Sequence, residues 1–90
     1  MKPSDLFQFR IRGEHIKWIL KRLNDDLEKT GASYRVTWHT AYGAPHLRIC
    51  RAENFDKEHL YCSIVTADIP FSTRRDLLNT LEVLRYIVER

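Results

Sequence analysis

From Tyr34 to His39 the chain alternates apolar and polar residues, with Tyr34, Val36 and Trp38 on one parity and Arg35, Thr37 and His39 on the other. After a turn the alternation resumes, and Leu47 and Ile49 oppose His46, Arg48 and Cys50. Successive side chains of a strand point to opposite faces, so these two runs predict a hairpin with one apolar and one polar side. The polar side is basic, because Ser33 to Arg51 holds three arginines, two histidines and no carboxylate. The apolar side calls for a second layer of structure.

The neighbouring segments supply that layer. Leu6 to Arg12 alternates Phe7, Phe9 and Ile11 with Gln8, Arg10 and Arg12, a short strand that Gly13 ends. Glu14 to about Thr30 reads as a helix, with Ile16, Ile19, Leu20, Leu23 and Leu27 on one stripe and Gly31 as its C-cap. Strands follow at about 33–39 and 46–51, joined through Thr40 to Pro45, and a further strand is expected over Leu60 to Thr66 with Leu60, Cys62 and Ile64 inward. An acidic loop, Ala52 to His59, precedes that strand, and Ala67 to Phe71 reads as a connector. Ser72 or Thr73 caps a last helix whose core stripe is Leu77, Leu81, Leu84 and Val88.

The expected fold is α+β, a two-layer sandwich in the order β-α-β-β-β-α. Two helices lie on one face of a mostly antiparallel four-stranded sheet. Ninety residues make a single domain, 1–90, able to bury a core without metal or disulfide staples. With 43% hydrophobic and 30% charged residues the composition is that of a soluble globular chain, and the net charge of +3 is mild. No apolar run is long enough to span a membrane, and Met1 to Asp5 leads into no apolar h-region. Two cysteines are too few for a disulfide framework, which points to a reducing, cytoplasmic setting.

From Glu14 onward the order α-β-β-β-α resembles that of double-stranded-RNA-binding domains. The resemblance places Thr73-Arg74-Arg75 where that family's basic helix start touches phosphates. It is one of layout: the family's lysine-rich helix-start motif does not occur here, and the strand Leu6 to Arg12 is no part of that fold.

With the helices on the apolar face, the open face collects Arg10, Arg12, Arg35, His39, His46, Arg48 and Tyr61, together with Gln8, Thr37, Cys50, Ser63 and Val65. Guanidinium forks on a rigid surface suit carboxylates or phosphates. Sheets that read RNA bases carry several stacking aromatics, and Tyr61 stands nearly alone, so contact with a nucleic-acid backbone or an acidic protein surface is expected. The plain alternative is a half-exposed sheet kept soluble by arginine.

Matching the apolar residues sets Trp38 opposite Leu47 and Val36 opposite Ile49, which also sets His39 opposite His46, Thr37 opposite Arg48 and Arg35 opposite Cys50. Two close histidines beside Arg48 are weak candidates for acid–base cleavage of RNA. They are too few for a closed metal site, and His59 lies roughly 15 Å away at about 3.3 Å per residue. His15 has no spacing relation to the others. The same register puts Cys50 on the open face and Cys62 in the core, arguing against a disulfide between them. Cys50 then reads as a partly exposed thiol with Arg35 nearby to lower its pKa.

On the helices, Trp18 lies opposite the core stripe with Arg22, and Val83 and Tyr86 fall outside the stripe of the last helix. Tryptophan, tyrosine and arginine are enriched at interface hot spots, so Trp18, Arg22, Val83 and Tyr86 form a candidate protein interface, a homodimer included. The chain carries no Gly-rich phosphate loop, no CxxC and no carboxylate constellation, and implies no cofactor and no metal. The reading it favours is a small non-enzymatic binding module, a regulator or inhibitor that docks a charged macromolecular surface through the basic sheet face and the aromatic helix face. A nucleic-acid-binding domain is the first alternative, and a small toxin-type ribonuclease using His39 and His46 is the second.

Overall fold

A computed structural model describes residues 13–89. The strand expected over Leu6 to Arg12, with Arg10 and Arg12, lies outside them. The chain folds as α1 (Gly13–Lys29), β1 (Tyr34–Ala41), β2 (Ala44–Arg51), a 3-10 turn (Ala52–Asn54), β3 (Phe55–Asp56), β4 (Tyr61–Cys62), β5 (Ala67–Pro70) and α2 (Arg74–Glu89). It is an α+β fold with two helices and antiparallel sheets. The single four-stranded sheet is corrected to a three-stranded sheet in the order β1-β2-β5 and a separate two-stranded ladder of β3 and β4.

The hairpin pairs in the register its alternation sets: Val36 faces Ile49, Thr37 faces Arg48, Trp38 faces Leu47 and His39 faces His46. Its strands run further than their patterns suggest, because the turn needs only Tyr42 and Gly43, at φ of 54° and 75°. Two consecutive positive-φ residues match the right-handed twist of the flanking strands, as in a type I′ turn.

β2's other neighbour is where the sequence misleads. The alternation over Leu60 to Thr66 yields only the two-residue β4, Leu60 sits at a φ of 50°, and Ile64 is exposed. The strand beside β2 is Ala67–Pro70, with Ile69 facing Leu47 and Asp68 facing Arg48. Pro70 ends a strand at the edge of this sheet, where a missing N–H leaves no ladder bond broken.

Both helices cover one sheet face. Ile16, Ile19, Leu20, Leu23 and Leu27 of α1 meet Leu77, Leu78 and Leu81 of α2 over Val36 and Leu47, with Trp38 and Phe71 packed against the cluster. A Cβ at Gly13 would lie 3.4 Å from the Trp38 ring, and Arg74 stacks 5.5 Å over it, so both helices start at this indole. They run the same way, since Trp18 neighbours Arg85 and Arg22 neighbours Glu89. α1 ends as its glycine predicts: Ala32 N–H donates to Leu27 O and Gly31 N–H to Glu28 O, with Gly31 at a φ of 76°. At the start of α2, Asp76 N–H donates to Thr73 Oγ1, while the Asp76 carboxylate accepts from Ser72 rather than from the Thr73 backbone. Asn24, buried on α1, donates its amide to Val36 O and accepts from Val36 N–H, both at 2.8 Å.

Candidate functional site

The far sheet face divides in two. Its lower half is covered by the segment that leaves β2, makes the β3–β4 ladder and returns. Cys50 and Cys62 are joined as a disulfide, their Cα atoms 5.9 Å apart. This corrects the expectation of two separate thiols. The parity argument placed residues 60–66 in the sheet plane beside β2, whereas β4 lies across the face and its Cys62 meets Cys50 from above. Cys50 is 1% exposed and holds no thiol for Arg35 to activate. Among the described residues no helix is long and apolar enough to cross a membrane. Thr37, also buried, lies 3.3 Å from Cys62 Sγ through its hydroxyl.

Arg35 shares this covered half. One of its guanidinium nitrogens donates to Ala32 O and to Tyr34 O, each at 2.7 Å, and the residue is 9% exposed. It is therefore turned inward and offers the open face no charge. Tyr61, exposed on β4, pairs with Asp56 in the small ladder and is not beside the histidines. Arg35 also lines a cleft of about 200 Å³ with Asn24, Asp25, Glu28, Ala52, Phe55 and Lys57. The cleft's outer charges answer one another: Lys57 lies 3.5 Å from Asp25 and 3.3 Å from Glu28, and the hydrogen bond to Glu28 leads the effects that raise its pKa.

The upper half, toward the hairpin turn, gathers four polar side chains from three strands. His46 Nδ1 lies 2.9 Å from Asp68 Oδ1, Asp68 Oδ2 lies 3.6 Å from Arg48 Nε, and Arg48 Nη2 lies 2.8 Å from His39 Nε2. The two imidazole centroids, 5.2 Å apart, close the ring. Arg48 can only donate, so His39 Nε2 must be the accepting nitrogen and the proton must sit on Nδ1, which is buried without a hydrogen-bond partner. Burial, then Arg48's charge, hold His39 below its ordinary 6.5; Asp68 pulls the other way and His46 adds a smaller downward push.

Asp68 engages one ring nitrogen of His46, Nδ1. His39 has one nitrogen held by Arg48 and the other enclosed, so it cannot relay a proton while that bond stands. Asp68 is the member that sequence reasoning missed. Its signal was the placement of Asp68-Ile69-Pro70 as a second partner for β2, concealed by the proline. His59 is engaged locally, its Nδ1 2.8 Å from Asp56 Oδ2. That bond leads the effects that lower Asp56's pKa. Among the described residues no three His, Cys, Asp or Glu side chains gather as metal ligands.

On the helices all four proposed interface residues are exposed, and two of them form a cluster. Trp18, 53% exposed, lies against two guanidiniums, with Arg22 Cζ 5.7 Å and Arg85 Cζ 5.8 Å from the ring centroid. Glu89 Oε1 joins them, 3.5 Å from Arg22 Nη2 and 3.3 Å from Arg85 Nε. Val83, Tyr86 and Ile87 make a second apolar stripe on α2, with Val83 58% and Ile87 59% exposed. At about 100° per residue Val83 lies roughly 160° from the core position Leu81, and Ile87 falls at the flank of the outward side, about 100° from Val88. Sequence reasoning missed Arg85 and Ile87. Ile87 was visible as i,i+4 to Val83, but Arg85 joins Trp18 only through the packing of the two helices. No family model matches the chain, and neither a curated protein nor a solved structure is significantly similar to it.

Proposed function

We propose that this chain is a non-enzymatic binding module that docks another protein through the outer face of its two helices. The observation that supports it is the second apolar stripe of α2 beside the Trp18 cluster. A surface helix is expected to carry one apolar stripe, toward the core, and α2 carries another toward solvent. Exposed apolar residues next to tryptophan and arginine are the composition of an interface core rather than of a solvated surface. The sheet face offers less. Of its arginines among the described residues, Arg35 is hydrogen-bonded to backbone carbonyls, and Arg48 is hydrogen-bonded to His39 and ion-paired with Asp68. This favours the helical face over a basic sheet that grips nucleic acid.

The test is capture from native lysate with wild type, Trp18→Ala and Val83→Lys, each with and without nuclease, alongside sedimentation of the chain alone. The expected result is a partner, or a dimer, that survives nuclease and is lost by both variants. Partners that vanish with nuclease, or that both variants retain, overturn the reading.

A further inference from the structure

Resting on the helical-face reading, we propose that Arg22, Trp18 and Arg85 form a receptor for a carboxylate side chain of the protein partner, which Glu89 fills in the isolated chain. Two guanidiniums lie within 6 Å of the centroid of one exposed indole, and a single oxygen of Glu89 lies within 3.5 Å of a nitrogen from each. Both contacts are longer than the 2.7–2.9 Å typical of charge-assisted hydrogen bonds. Glu89 is four residues from Arg85 on the same helix, which fixes its angle of approach. A carboxylate on a separate segment has no such restraint and can meet both forks at closer range.

Displacement is easy on energetic grounds, because exposed ion pairs contribute little and Arg22 and Glu89 are 49% and 37% exposed at the side chain. The surroundings favour an acidic protein segment over a polyphosphate. Lys21 extends the basic rim along α1, and Asp25, on the same face, is drawn off toward Lys57. Within the cluster, the half-exposed Trp18 ring offers apolar surface suited to side chains next to the incoming acid, which a polyphosphate lacks.

The experiment titrates the isotope-labelled chain at low salt with poly-L-glutamate, and in parallel with poly-L-lysine and polyuridylate. It follows the indole N–H resonance of Trp18, assigned with Trp18→Phe. Poly-L-glutamate should shift this resonance. Glu89→Gln should tighten binding about threefold, the size an exposed ion pair allows. Arg22→Gln and Arg85→Gln should each weaken it at least as much. The proposal is overturned if Glu89→Gln binds no tighter than wild type, if the arginine variants bind as well as wild type, or if polyuridylate shifts the indole at lower concentration. Those outcomes leave the broader helical-face reading intact as long as Trp18→Ala and Val83→Lys still lose a nuclease-resistant partner, so the two failures are separable.

Discussion

On the sheet, Arg35 gives one guanidinium nitrogen to two backbone carbonyls, and Arg48 lies between His39 and Asp68. On the helices, Arg22 and Arg85 lie against an exposed tryptophan and share one carboxylate oxygen. Both surfaces are rich in arginine in the sequence, but the sheet pair is tied by hydrogen bonds of 2.7–2.8 Å, whereas the helical pair is held by ring stacking and by ion pairs of 3.3–3.5 Å. The difference comes from what stands nearby. On the sheet, a covering segment and a third strand bring carbonyls and a carboxylate into reach. On the helices, the acceptor the two arginines share among the described residues is a weakly held glutamate. A count of arginines on a predicted face therefore measures potential charge, and the acceptors packed around them decide how much is offered to a partner.

The largest effect expected from disturbing this contrast is at the covered half of the sheet. Breaking the Cys50–Cys62 bond, by reduction or as Cys50→Ala/Cys62→Ala, should lower unfolding free energy by about 3 kcal/mol for a link of this short span. It should also raise hydrogen exchange at Arg35 and Thr37. Denaturant midpoints with and without reductant check the first part. Unchanged exchange at those amides would mean that the covering segment is held by something other than the bond.

Next in size is a direct comparison of the two arginine settings. Arg48→Met strips Asp68 and His39 of a partner in a half-buried ring and should cost about 1–2 kcal/mol. Arg85→Met removes a stacking contact on an exposed tryptophan and a 3.3 Å ion pair, and should cost below about 1 kcal/mol. Urea midpoints of the two variants rank them, and a larger loss for Arg85→Met would break the contrast drawn above.

The smallest effect is in pH. His39's pKa in the fold lies below its ordinary 6.5, so below that value the unfolded chain binds more protons than the folded one. Stability should be full above about pH 6.5 and fall as pH drops from there through His39's own lower pKa. His39→Gln should remove this part of the slope. It should leave the separate acid loss below about pH 3.8, where the lowered pKa values of Asp56 and Asp76 act. Thermal unfolding from pH 7.5 to 4.5 reads the difference; parallel curves for both proteins would show that His39 takes up its proton at no cost to the fold.

Where sequence periodicity met a matching partner, it could be read residue by residue. The hairpin's register, the two helices, the Gly31 cap and the opposition of His39 and His46 all follow from local alternation, spacing or turn chemistry. Legibility stopped where a segment left the sheet plane. Leu60, Cys62 and Ile64 alternate as a strand would, yet nothing local says that Cys62 crosses above Cys50 rather than lining up beside β2. Asp68 and Pro70 look like a connector, because the edge position that tolerates proline is set only once β2 has its first partner. The helical face was half legible: Trp18 could be placed outward on a wheel, but its two-arginine setting depends on helices running in the same direction, a relation between elements far apart in the chain.

Asn24 carries one further consequence. A side-chain amide has the same donor and acceptor as a peptide group, and at Val36 it takes both positions that a neighbouring strand's backbone would use. At that level the hairpin's outer edge is already read as paired, by a residue anchored in a helix. A stray strand from another chain, the usual seed of edge-to-edge aggregation, would have to evict a buried amide before it could add a rung there.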